Sequence, residues 1–167
     1  SVFAANIACA FMNELRTQVL LIDADSRTVG DQNIIMGLKP IKTLKDISNL
    51  SSSLTSVPLN QIVTQHSSGL AYVGAVRGPE EKLDITSDSF SKTLDFLSRH
   101  YKFIIIDLGN DLGELQKSII FDCTALMIIS TPEVLVVTQT QRLISELLSN
   151  TFPKDMFQLV INKANNQ

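Results

Sequence analysis

Two runs constrain this chain more than anything else in it. Val19-Leu20-Leu21-Ile22 stops on Asp23-Ala24-Asp25, and Phe103-Ile104-Ile105-Ile106 stops on Asp107. Four consecutive large apolar residues are too short to cross a membrane and lack the alternation of a half-exposed strand. Each run therefore reads as a strand buried on both faces, as in a parallel sheet covered by helices. Carboxylates at the carboxyl ends of such strands fall where open α/β sheets bind their ligands. One strand-end aspartate is explained by capping the next helix or tolerating a turn. Three of them, each followed by a loop that contains glycine, point to a site.

The segments between the two runs supply the crossovers. Ser1 to Leu15 places Val2, Phe3, Ile7, Ala10 and Phe11 among Ala4, Ala5 and Ala8, the pattern of a helix packed closely on a sheet. A polar loop over Ser26 to Gly30 leads to an apolar turn at Ile34, Ile35 and Met36 closed by Gly37. Lys39-Pro40 is a break, and Thr43 caps a new helical turn. Ser51 to Ser56 is a serine-rich loop. Leu70 to Ala75 reads as a short strand between the turns Ser67-Ser68-Gly69 and Arg77-Gly78-Pro79, and Ser87 to Arg99 as a helix with Phe90, Leu94 and Leu97 on one face. Ala125 to Ile129 is a further strand. Pro132 suits the first turn of a helix over Val134 to Leu148, and Phe157 to Ile161 is a last strand ending on Asn162. Strands alternating with helices give an α/β fold with a mostly parallel sheet, helices on both faces and right-handed crossovers.

Composition narrows the partners. At 167 residues the chain fits one domain, and 44% hydrophobic with 19% charged residues is too apolar for disorder. A formal net charge of −3 gives no general attraction to polyanions, which argues against nucleic acid as an obligatory partner. Lys39, Lys42 and Lys45 recur every third residue and are either a solvated face or contacts to DNA phosphates. No window reaches the roughly 18 apolar residues a spanning helix needs. Cys9 and Cys123 lie in apolar stretches and read as reduced core residues, with a cytoplasmic location. His66, His100 and Arg142 are assigned no chemistry.

Hard oxygen ligands gathered near a helix amino terminus suit Mg²⁺ and phosphate, because the helix end offers N–H donors while the metal screens the charge. Ser1 starts a helix and is read either as its N-cap or as the Mg²⁺-binding hydroxyl found at that place after a phosphate-binding loop. Ser1 to Ala8, Val19 to Asp25, Gly30-Asp31 with Gly37-Leu38, Tyr101 to Asp107, and Ser130-Thr131-Pro132-Glu133-Val134 stand in an order and spacing that resemble the ParA/MinD group of deviant Walker-A, P-loop ATPases of the SIMIBI class. Ser68-Gly69-Leu70 followed by Pro79-Glu80-Glu81 is similar to the pilus-assembly localisation branch called CpaE or TadZ.

The resemblance implies a site and a role. Ser1 and Asp107 would hold Mg²⁺, Ser1 would bind the nucleotide, Asp23 and Asp25 would lie beside its γ-phosphate, and Asp25 would orient the attacking water. Asn162 would contact adenine, with a strand-end turn residue as the alternative. ATP and Mg²⁺ are the implied cofactors, and a homodimer that positions a pilus or similar surface machine is the implied switch. An inactive polar localisation scaffold, a flagellar-number regulator and a partitioning ATPase are the alternatives. The family's glycine-rich loop, its lysines and the strand before it would precede Ser1, and further elements would follow Gln167. The chain is therefore expected to be a partial P-loop domain, 1–167, that binds nucleotide poorly by itself. The strand edge beside Asp107 is expected to be closed by rearrangement, by another chain or by residues outside this sequence.

Overall fold

The computed structural model describes residues 1–50, 53–110 and 112–164, so Ser51 and Ser52 of the serine-rich loop lie outside the described residues. The chain divides into two compact units, Ser1–Gln116 and Lys117–Gln167.

The first unit is built on a four-stranded sheet. Its elements are α1 (Val2–Leu15), β1 (Val19–Asp23), α2 (Asp31–Met36), α3 (Leu44–Asn49), β2 (Thr64–Gln65), β3 (Ala71–Val73), α4 (Ser87–Ser98) and β4 (Phe103–Asp107). The strand order is β2-β3-β1-β4. β1 runs parallel to both neighbours, and only the two-residue β2 is antiparallel. All five residues of β1 are buried, as its unbroken apolar run requires. Val19 and Leu21 pack with Leu70, Tyr72 and Met36 against Ala5 and Ala8 of α1. Leu20 and Ile22 point the other way by strand alternation and are equally buried, so both faces of the sheet are covered. Small residues on α1 let the helix come close to the strands, whereas Val2 and Leu15 stay exposed.

β4 differs from the reading of its sequence. Phe103 to Ile106 are half-buried rather than buried, because β4 is the outer strand of its sheet and pairs only with β1. No described strand of this unit rearranges to close that edge. Phe11 of α1 covers part of it through an edge-to-face contact with Phe103, centroids 5.2 Å apart.

The loops follow their turn chemistry. Thr43 caps α3 as expected, accepting from the Asp46 N–H while the Asp46 carboxylate accepts from the Thr43 N–H, a reciprocal capping box. Arg77 makes a two-pronged ion pair with the same Asp46 at 2.6 and 3.3 Å, tying the turn after β3 to α3. Gly74 is required by crowding. A Cβ there would stand 2.5 Å from Asn33 Oδ1 and 2.9 Å from Pro40 Cγ.

A helix that the sequence does not announce, α5 (Glu114–Asp122), contains the boundary between the units. The second unit then has β5 (Leu126–Ser130), α6 (Val134–Ser149) and β6 (Phe157–Ile161), with β5 and β6 parallel and in register from Leu126↔Phe157 to Ser130↔Ile161. Pro132 lies outside α6, whose N-cap is Glu133. No helix of the described residues is long and apolar enough to cross a membrane.

Candidate functional site

The two parallel strands β1 and β4 bring their terminal aspartates side by side, with Asp23 and Asp107 as register partners. Residues two apart on a strand share a face, so Asp23 lies on the side of Val19 and Leu21, and Asp107 on the side of Phe103 and Ile105. This is the face that α1 covers. The amino end of α1 arrives at the pair, with the Ser1 nitrogen 3.6 Å from Asp107 Oδ2. A helix start presents free N–H groups and partial positive charge there. The Ser1 side chain stands at the N-cap but makes no capping hydrogen bond, which leaves its hydroxyl available for another partner.

Each carboxylate is half satisfied. Asp23 Oδ1 accepts from the Asp25 N–H at 3.1 Å, and Asp107 Oδ1 accepts from the Gly109 N–H at 3.3 Å. Asp23 Oδ2 and Asp107 Oδ2 are buried and have no hydrogen-bond partner. Burial, reinforced by the charges of Asp107 and Asp25, pushes the Asp23 carboxyl up to about 7, against the nearby Asp25 and Ala75 backbone N–H groups, which favour its charged form. Tyr72 lies in the same layer. Its phenol is pushed up strongly by burial first and then by the negative charges of Asp23 and Asp107, so it stays protonated and donates to Asn33 Oδ1 at 2.6 Å.

Asp25 is buried too, and it is turned toward its own loop. Its Oδ1 accepts from the Arg27 N–H at 2.8 Å and the Thr28 N–H at 3.1 Å, and its Oδ2 accepts from the Thr28 hydroxyl at 2.5 Å. These bonds use three of the roughly four acceptor positions of a carboxylate and leave one for a water. The loop after β4 packs directly on this group. Gly109 has φ +65°, and a Cβ at that residue would stand 2.3 Å from the Asp25 carboxyl carbon. Two more bonds couple the same loops: the Ala24 N–H donates to the Asp107 carbonyl at 2.8 Å, and Gln116 Nε2 donates to the Ala24 carbonyl at 2.9 Å.

Of the residues singled out in the sequence, Ser1, Asp23, Asp25 and Asp107 lie together in the first unit. Asn162 belongs to the second. It follows β6, its N–H donates to the Ser130 carbonyl at 2.7 Å, and its Oδ1 accepts from the Lys163 N–H at 2.9 Å. His66 is engaged with Ser68 in a surface turn. Gln32, Asn33, Tyr72 and Gln116 are buried polar groups around the site that sequence reasoning missed. Gln32 and Asn33 sit in a short Asp-Gln-Asn run that looks like a polar loop.

Among the described residues, no three His, Cys, Asp or Glu side chains converge as a metal cage. Mg²⁺ does not need one. It is commonly held by one or two carboxylates, with waters and substrate phosphates completing its shell. Two buried carboxylate oxygens that accept no hydrogen bond, beside a helix start, fit that requirement.

No protein-family model and no curated protein matches the sequence. Solved structures do match in shape. The ParA family ATPase from Chlorobium tepidum TLS superposes with a TM-score of 0.83 at 22% identity, over 99% of this chain and 69% of that one. The fold is that of the ParA and MinD ATPases. The MinC:MinD cell division protein complex of Aquifex aeolicus matches at TM-score 0.74 and 23% identity, over 98% of this chain and 63% of that one. The septum site-determining protein MinD complexed with Mg-ADP from Pyrococcus horikoshii OT3 matches at 0.67 and 18%, over 96% and 61%. The chain thus spans 61–69% of the length of these ParA and MinD structures.

Proposed function

We propose that the carboxyl ends of β1 and β4, with the start of α1, form the Mg²⁺ and phosphate side of a nucleotide site in a ParA/MinD-type ATPase. The observation that carries this reading is the register pair Asp23 and Asp107, each with a buried Oδ2 that accepts no hydrogen bond, beside the Ser1 nitrogen at the start of α1. Asp107 and the Ser1 hydroxyl would hold the metal, and Asp23 and Ser1 would face the phosphates. Bound Mg²⁺ would neutralise charge on the transferring phosphoryl group, which is the main demand of this chemistry. The protein groups do the rest. The α1 N–H groups would donate to phosphate oxygens, and Asp25, held by Arg27 and Thr28 and packed against Gly109, would offer its remaining lone pair to the attacking water. Asn162 would contact the base. MinD is solved as a complex with Mg-ADP, and a second MinD structure contains MinC. By likeness to those proteins, this one would be a cytoplasmic homodimeric switch with a protein partner, and by its resemblance to the CpaE or TadZ branch it would position a pilus or similar machine. The two units would then be parts of one domain.

One observation favours a second reading, a non-hydrolysing localisation scaffold: both Asp25 oxygens are already engaged within their own loop. The two readings separate by turnover of the full-length protein. Asp25→Ala is expected to lower Mg²⁺-dependent ATP hydrolysis at least tenfold. Asp25→Asn keeps an oxygen for the Arg27 and Thr28 N–H groups and is expected to lower it as well. Unchanged turnover in Asp25→Asn removes Asp25 from catalysis, and a wild type without turnover supports the scaffold.

A further inference from the structure

Gln32 is an anomaly in the first unit. It is 1% exposed, and neither its Nε2 nor its Oε1 has a hydrogen-bond partner. A core position that served packing alone would favour an apolar residue, since burying an amide with both ends unpaired is unfavourable while an apolar group of the same shape is not.

Its placement is specific. Gln32 lies one helical turn before Met36 on α2, and residues four apart share a helix face. Met36 packs in the cluster that contains Ala5 of α1, Leu21 and Tyr72. Ala5 is one turn from Ser1, and the Ala5 N–H donates to the Ser1 carbonyl at 3.1 Å. The next residue on α2, Asn33, accepts the Tyr72 hydroxyl, and the Tyr72 phenol feels the charges of both Asp23 and Asp107. Gln32 therefore faces the α1 side of the sheet, the side on which Asp23 and Asp107 end their strands. That side of the sheet holds two carboxylate oxygens that accept no hydrogen bond and one amide whose donor and acceptor are both unused. A cation with an anionic oxygen beside it would satisfy all of them.

We propose that Gln32 is a further ligand-binding residue of this site, its Nε2 donating to a phosphate oxygen of the bound nucleotide and its Oε1 accepting from an ordered water beside it. The assignment rests on the nucleotide reading above and adds a residue that the strand-end aspartates do not reveal. It also gives α2 a function. This six-residue helix is bounded by Gly30 and Gly37, both at positive φ, and a ligand contact at Gln32 would couple it to the phosphates.

The test uses the full-length protein and reads thermal stabilisation by ADP as Mg²⁺ is titrated, with no dependence on turnover. Gln32→Met keeps length and helix propensity while removing the amide. It is expected to melt at or above the temperature of the free wild type and to need about tenfold more ADP for half-maximal stabilisation, the loss of one hydrogen bond to a charged group. Half-maximal stabilisation at the wild-type concentration overturns the assignment. If Gln32→Met fails to fold, Gln32→Glu decides: the isostere removes the donor and adds a negative charge, so it must weaken ADP binding by more than tenfold, and wild-type affinity in it overturns the assignment. The nucleotide reading fails separately, through a wild type that ADP and Mg²⁺ do not stabilise, and the Gln32 assignment falls with it.

Discussion

Replacing Asp23 by Asn should change how stability depends on pH, and the structure fixes the sign. In the folded protein the carboxyl is pushed from 3.8 up to about 7, chiefly by burial. Its folded-state value thus lies above the unfolded one, so between these limits the native state holds a proton that the unfolded chain has released. Stability contributed in this way is present below about pH 4 and is lost as pH rises through 7. A rise of about three pH units at about 1.4 kcal/mol each sets an upper bound of about 4 kcal/mol. For a domain of this size that is at most about 8–16 °C in Tm. The assay is thermal unfolding of the full-length wild type and Asp23→Asn, in EDTA and without nucleotide, from pH 5 to pH 8. The wild type should lose stability across the interval and the variant should lose markedly less, so that Asn is the more stable of the two at pH 8. Exposed groups that titrate in the same window are common to both proteins and cancel in the difference. Parallel profiles would refute the claim that Asp23 is forced to ionise in a buried, unpartnered position.

Two further substitutions probe how the site is held. Gly109→Ala must place a methyl group against the Asp25 carboxyl at a residue with φ +65°; it should cost about 2 kcal/mol or more in urea unfolding, and an unchanged midpoint would show that the two loops are not in contact. Tyr72→Phe removes the donor to Asn33 Oδ1 and leaves that buried oxygen unpaired; a loss of about 1–3 kcal/mol is expected, and neutrality would show that Asn33 is satisfied in another way.

The parts of this fold that are legible in the sequence are those decided locally. The runs at Val19 and Phe103 announce strands because a parallel sheet with both faces covered leaves no polar alternation, and Asp23, Asp25 and Asp107 mark a candidate site because they stand at or just beyond the ends of those strands. Thr43 announces a helix cap by its type and place, and Asp46 completes the box in the structure. The rest depends on partners far away in the chain. Nothing near Phe103 says that its strand is an outer one, which is why Ile104 to Ile106 are half-buried against expectation. Strand order also makes Asp23 and Asp107 neighbours, so the pair is visible only after the sheet is assembled. The antiparallel β2 is two residues long and carries no pattern. In α5 the apolar residues Leu115, Ile119 and Ile120 are spread among polar ones, with little of the periodicity that marks α4. Gln32 and Asn33 look like loop residues by type, and only burial exposes them as part of the site.

The most direct measurement is of the metal itself. Mn²⁺, an EPR-visible substitute for Mg²⁺, can be titrated into the full-length protein with ADP present. The account predicts that the wild type holds bound Mn²⁺ and that Asp107→Asn, which keeps the size and loses the charge, weakens it at least tenfold. Equal Mn²⁺ binding by wild type and Asp107→Asn, or none by either, would contradict a phosphate and metal site at the ends of β1 and β4.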